Sequence, residues 1–414
     1  MELFSQLSIL DALKHPRLPQ ELTDIIIDHF HDDKKALSLC SLVSRDWLWS
    51  ARYHLFYKTV ITTRNAKYGL DAFLKTAAAS PFSLGEQVRC LHVVGAHDKA
   101  QDDFASILKF IGAVLPQIPS IRRIDLSSMV WGQTSLLDVG TAAPMPWELG
   151  MLTLKDIRLE ASDAESLEVA QQHLFSLFQQ FSAIRLLTID TVRIGYRALY
   201  YSALPLDPTT TAAIVDTPSL TRCHIAALNC YTEDDSFYLL AALSRLGFAR
   251  NLQTLKFGSG CPEITASAQV VTDLAAASLR FVRYRVPSDD YAHLRGYVSS
   301  QVEAQTVLTQ MINTITCAPA DTMAIILEFF VRPQDFEVLY ESAGQGRWAL
   351  LDQQLSRRAE LRRVVVVLRS SQAPSADSAE RFKEMLPAVH EKGRLLRTVG
   401  NVSETMQWDM LTGL

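Results

Sequence analysis

Residues 121–126 read IRRIDL and residues 184–189 read IRLLTI. Both place apolar side chains at the first, fourth and sixth positions. The alternation over the last four positions is the period-two pattern of a strand with one face covered. The same template occurs as VRCLHV from Val88, LKDIRL from Leu154, LTRCHI from Leu220, LQTLKF from Leu252 and LRFVRY from Leu279. Successive starts between 88 and 279 lie 27 to 36 residues apart. LRRVVV from Leu361 is a further copy, and MAIILEF from Met323 is a looser one.

Helical patterns fill many of the gaps, at residues 102–115, 169–181, 235–246 and 291–315. A strand–helix unit repeated about every thirty residues predicts a solenoid, in which neighbouring units stack to bury a continuous core. The expected fold class is therefore α/β, a curved parallel sheet built from strand–helix repeats. An α/β domain with a wound parallel sheet also alternates strands with helices and stays open. Towards the C-terminus, residues 335–358 read as a helix interrupted at Gly344–Gly346. Val364–Leu368 is an apolar, β-branched run and so a buried strand. Residues 377–392 read as a helix broken by Pro387, and 395–399 as a last strand.

The strand units carry a recurring positive charge. Arg89, Arg122, Lys155, Arg185, Arg280 and Arg362 follow the first apolar position, and His92, Arg123, Arg158, Arg222, Lys256 and Arg283 alternate within the strands. In stacked repeats these positions align on or beside one face. The candidate partner-binding set is Arg89, Arg122, Arg123, Arg158, Arg222, Lys256 and Arg283. Arginine clusters bind carboxylate and phosphate through paired, charge-assisted hydrogen bonds, so the expected target is an acidic or phosphorylated segment. The plainer reading is a set of solvated strand-edge charges, partly cancelled by Asp125, Asp156, Glu160 and Asp190.

Upstream of the first unit, residues 18–47 read LPQELTDIIIDHFHDDKKALSLCSLVSRDW. Pro19 suits a first helical turn, where its missing N–H has no intrahelical partner anyway. Leu22, Ile25, Ile26 and Phe30 fall on one stripe, which Ile27 widens. Asp32 or Asp33 can cap a second helix with apolar Leu37, Leu39, Leu42 and Val43. Ser44 can cap a third, carrying Trp47, Trp49, Leu55 and Phe56. Three short helices bury little surface alone and need a partner or the remaining chain to cover them.

This segment resembles the F-box, the motif by which substrate receptors dock on the adaptor subunit of cullin-RING ubiquitin ligases. The matching residues are Leu18, Pro19, Glu21, Leu22, Ile25, Ile26, Leu39, Leu42, Val43, Ser44, Arg45 and Trp47, about a tenth of the chain when the whole motif is counted. The resemblance implies a lead-in at 1–16, an F-box-like helical domain at 17–58 and an irregular leucine-rich-repeat-like solenoid at 59–414. No unit carries the asparagine of regular leucine-rich repeats. The implied function is the substrate-recognition subunit of an SCF-type ligase, not itself an enzyme, holding an unidentified target protein near the ubiquitin-loading subunits. A scaffold using the same dock, or an α/β enzyme, are the competing expectations.

Composition agrees with a globular protein. The 414 residues are 48% hydrophobic and 21% charged, with a net charge of −5. Mild acidity argues against a dedicated nucleic-acid binder. The six cysteines, at 40, 90, 223, 230, 261 and 317, form no CxxC pair and fit reduced thiols in a cytoplasmic or nuclear protein. The first fifteen residues lack a signal-peptide layout, and no run approaches the eighteen or so apolar residues of a membrane span. His29 and His31 point to different faces of a helix and make a poor metal pair. No phosphate loop, dinucleotide turn or nucleophile elbow occurs. Neither a cofactor nor a metal is expected.

Overall fold

The computed structural model describes residues 19–62, 84–95, 111–131, 147–160, 180–195, 224–231, 251–258, 279–285, 315–330, 345–369 and 376–399, with isolated positions at 75, 174, 177–178, 243, 308–309, 311–313 and 340. Leu18 and Arg222 lie outside these residues. Among the described residues three helices come first: α1 (Gln20–Asp28), α2 (Lys34–Val43) and α3 (Arg45–Tyr57). The strands are β1 (Lys58–Thr62), β2 (Cys90–Val94), β3 (Arg123–Trp131), β4 (Trp147–Glu160), β5 (Phe181–Gly195), β6 (His224–Tyr231), β7 (Thr254–Gly258), β8 (Phe281–Arg285), β9 (Ala324–Phe330), β10 (Arg363–Arg369) and β11 (Leu395–Val399). From β3 to β11 they form one parallel sheet whose order is the order of the chain. The fold is mixed α/β.

The chain divides into two compact units, Met1–Val93 with Ala113–Arg122, and Val94–Gly112 with Arg123–Leu414. In the first, α3 packs on both α1 and α2. Ile27, Leu37, Cys40 and Ala51 form its helical core, with Trp47 and Leu55 against them. A short helix, α4 (Leu84–Gln87), precedes β2. Gly85 there has no room for a side chain, because a Cβ would stand 2.0 Å from the Gln117 carbonyl oxygen. The Arg89 amide donates to the Tyr57 carbonyl at 3.1 Å, and the Arg122 amide to the Arg89 carbonyl at 2.8 Å. Arg89 and Arg122 occupy the second template position of successive units.

The second unit repeats that bond. The amides of Gln253, Arg280, Met323 and Arg362 donate, each at 2.8 Å, to the carbonyls of Ala226, Gln253, Arg280 and Met323. The pairing also corrects two of the expected units. Ile124 and Leu126 pair with Leu152 and Leu154, and these with Leu187 and Ile189. The fourth strand is therefore read from Leu149 (LGMLTL), not Leu154. Ile184 pairs with Ile225, so the next begins at Ile225 (IAALNC), not Leu220. A six-residue pattern with three apolar positions fits a strand in more than one frame, and only hydrogen bonding to the neighbour selects one. First-position residues Leu149, Ile184, Ile225, Leu252, Leu279 and Leu361 are all buried, as is Thr322, which the pairing of Ile325 with Val364 makes the first position of the looser unit expected from Met323.

Ser128 and Asp156 have positive φ, 56° and 51°. Both sit at one register position, between the pairs Ser127↔Lys155 and Met129↔Ile157. This shared kink advances the buried positions from Leu126 to Met129 and from Leu154 to Ile157.

In β9 and β10 both faces are covered. Ala324 through Phe329 and Val364 through Val367 are all buried, as expected of a continuous apolar run in a parallel sheet. One face packs on α5 (Gln345–Arg357) and α6 (Ala376–Met385), where Phe329, Trp348 and Phe382 stack with ring centroids 5.9–6.0 Å apart. Ala324, Ile326, Val365 and Val367 cluster on the other. The helix expected around 377–392 does break: α7 (Pro387–Glu391) follows α6 after Leu386, and the Asp352 carboxylate accepts its Ala388 and Val389 amides at 2.9 and 3.0 Å. The pattern read as helix to 181 ends earlier, since Phe181 opens β5. Of the pattern at 235–246 only Leu243 is described, and it is helical. Among the described residues no helix is long and apolar enough to cross a membrane.

Candidate functional site

The first helices are positioned by their caps. The Pro19 carbonyl accepts from the Leu22 and Thr23 amides at 3.0 and 3.1 Å, starting α1. The Asp33 carboxylate accepts from the Lys35 and Ala36 amides at 2.9 and 3.0 Å, starting α2. The Ser44 hydroxyl accepts from the Trp47 amide at 3.3 Å, starting α3. The two side-chain caps, at Asp33 and Ser44, are worth about 1 kcal/mol each.

A polar seam joins α1 to α3. The Asp24 carboxylate accepts from the Ser50 hydroxyl and from Gln20, and one turn on His54 Nε2 lies 2.7 Å from the Asp28 carboxylate. Lys34 of α2 donates through Nζ to the His54 and Leu55 carbonyls at 2.8 and 2.9 Å, at the negative end of α3. Partial burial pushes the Lys34 ammonium below its ordinary range and Asp32 opposes that shift, while Lys58 adds to it.

The apolar residues divide differently from the sequence expectation. The stripe through Leu22, Ile25 and Phe30 faces outward, while Thr23 and Ile27 form the buried side of α1. In α2, Leu37 and Cys40 are buried and Leu39, Leu42 and Val43 stand out, 67%, 80% and 63% exposed. The reason is helical phase. α3 meets only one side of each helix, and the widened Ile25–Ile26–Ile27 run offers two sides to choose from. Pro19, Glu21, Ser44 and Arg45 are exposed, and Ile26 and Trp47 are half-buried. Trp49, one of the apolar positions expected in α3, stands in one exposed row with Tyr53 and Tyr57, and their spacing of four residues is the signal for that row.

The basic set is largely occupied internally. Arg89 donates through Nη1 to the Ser120 carbonyl at 3.0 Å. Arg123 Nε lies 2.8 Å from the Asp125 carboxylate. Lys256 and Arg283, expected on an open face, are 1% and 4% exposed, and Arg283 pairs with buried Glu328. Their strands are covered on both sides, so these two cations do not face solvent. Arg122 and Arg158 are exposed. Beyond this set, Arg280 reaches the Asp321 carboxylate, and Arg358 and Arg394 donate to carbonyls of the preceding segments. The recurring arginines thus tie one segment to the next. Among the described residues no group of three or more His, Cys, Asp or Glu side chains could hold a metal. Compared with known proteins, the chain matches no family model and no curated protein.

Proposed function

We propose that this chain is a non-catalytic substrate receptor of an SCF-type ubiquitin ligase. α1 to α3 form an F-box that docks on the adaptor. The following strands form an irregular leucine-rich-repeat solenoid that holds the target. The reaction gains from proximity, a raised effective concentration of target lysines, with the covalent chemistry done by other subunits. One observation carries this reading. Leu22, Ile25, Leu39, Leu42 and Val43, residues of the F-box resemblance, are exposed, while Ile27 and Leu37 beside them are fully buried. Leaving such side chains in water forgoes about 1.5–3 kcal/mol apiece, which an apolar partner surface recovers. The monotonic strand order adds support, because doubly wound enzymes bind ligands where the order reverses and this sheet has no reversal.

The test is copurification of the intact protein with adaptor and cullin from cells. Leu39→Asp with Leu42→Asp should abolish capture of both. Failure of the wild-type chain to capture adaptor would sink the proposal. Capture of adaptor without cullin would point to a scaffold instead.

A further inference from the structure

β11 pairs with β10 on one side, and among the described residues no strand lies on its other side. Exposure climbs towards that edge along one register row. Ile326 of β9 and Val365 of β10 are buried, whereas Leu396 of β11, in register with them, is 39% exposed. The paired side of β11 fixes the hydrogen-bond phase of the open side. The Val364 amide donates to the Arg394 carbonyl at 2.8 Å, so the Arg394 backbone faces β10. Backbone groups alternate sides along a strand, so those of Leu396 face β10 as well, and those of Leu395, Arg397 and Val399 face the open edge. Such an edge is a template for an added strand. The sequence after β11 reads Gly400-Asn401, then VSETMQW at 402–408. Gly-Asn is a two-residue hairpin signal, with glycine at the first central position, where a type II′ turn needs positive φ. A two-residue turn also needs the residues that flank it, here Val399 and Val402, to exchange their backbone hydrogen bonds. Val399 meets that condition because its backbone faces the open edge. In the opposite phase, a two-residue turn at this point could not return the chain to β11.

We propose that residues 402–408 turn back through Gly400-Asn401 and add to the open edge of β11 as an antiparallel strand. The register of that turn sets position 397 opposite 404, an arginine and a glutamate, and position 395 opposite 406, a leucine and a methionine. Unlike charges and apolar pairs are both favourable across antiparallel strands. The added strand occupies the place at which an extended segment of another protein would join the sheet. It is an intramolecular competitor for that place, and the short tether gives it a high effective concentration. This strap acts whether or not α1 to α3 dock on an adaptor, so it goes beyond the receptor function.

The experiment uses the full-length chain with pairs of introduced cysteines, oxidised in a glutathione buffer and read by peptide mapping. In the proposed register Leu396 and Thr405 are directly opposed, at a pair without interstrand hydrogen bonds, where side chains come closest. Leu396→Cys with Thr405→Cys should cross-link about tenfold faster than Leu396→Cys with Met406→Cys, because residues 405 and 406 point to opposite faces of the sheet. Gly400→Val, which denies the turn its positive φ, should lower the first rate to the second. Thr398→Cys with Ser403→Cys, against Thr398→Cys with Glu404→Cys, repeats the comparison without touching Leu396. Equal rates within both comparisons overturn the proposal, since a segment with no fixed register reaches both positions alike. So does a fast cross-link that Gly400→Val leaves unchanged. A cross-link formed only between two copies of the chain also overturns it, because a second copy would then cover the edge.

Discussion

Arg283 of β8 reaches diagonally to Glu328 of β9, two residues beyond its register partner Ile326, and places Nε and Nη2 at 2.8 and 2.6 Å from one carboxylate oxygen. Both side chains are almost wholly buried, and Lys256, also buried, is the register neighbour of Arg283 on β7. Removing one member of such a pair strands a charge in a low-dielectric interior, whereas removing both costs far less. Arg283→Met and Glu328→Leu should each destabilise the protein by about 3 kcal/mol. The double variant Arg283→Met with Glu328→Leu should recover most of that loss. Urea denaturation of the four proteins checks the cycle, and additive losses would contradict it.

The outward residues of α2 can be separated from its inward ones. Leu42→Asp, at an 80% exposed site, should leave the thermal midpoint within a degree or two while abolishing adaptor capture. Leu37→Ala, at a fully buried site, should destabilise by about 2–5 kcal/mol. A calorimetric melt beside each capture experiment distinguishes a lost contact from a lost fold.

Gly95 donates its amide to the Ser127 carbonyl at 2.7 Å, so close that a Cβ there would stand 2.2 Å from the Ser128 carbonyl oxygen. The obstacle is backbone and cannot rotate away. Gly95→Ala should therefore destabilise the protein by about 1–3 kcal/mol, whereas Gly346→Ala, where a Cβ meets nothing within 4 Å, should not. Equal chemical-denaturation midpoints for the two would argue against the close approach.

Lys34 supplies a pH dependence of defined sign. Its folded pKa lies below the ordinary 10.5, so between the two values the unfolded chain holds more protons than the folded one. Stability contributed by this group therefore rises with pH over that window, the reverse of a lysine that gains a carboxylate partner. Lys34→Met should flatten the rise in thermal midpoint measured as the pH climbs towards 10.5. The same variant loses two hydrogen bonds to α3 carbonyls and should melt lower at neutral pH.

Much of the fold was legible in local patterns. The caps at Asp33 and Ser44, the strand at Val364–Leu368 and the break at Pro387 are decided by a few neighbouring residues, and the structure has each of them. Other assignments needed a neighbour. LTRCHI and LKDIRL fit the strand template as well as IAALNC and LGMLTL do, and only interstrand hydrogen bonds chose between them.

By itself, the sequence determined the periodicity, the parallel strand–helix class and the helix starts, because these depend on contacts within a turn or two of chain. Tertiary structure decided which side of each amphipathic element meets water. Leu42 and Leu37 are the same residue type on one helix, yet one is exposed and the other buried. The same holds for Arg158 and Arg283, one exposed and one paired with Glu328 inside the sheet. Composition sets how much apolar and charged surface a segment carries. Which part is covered depends on packing between residues distant along the chain, as β8 on β9 and α3 on α2 show.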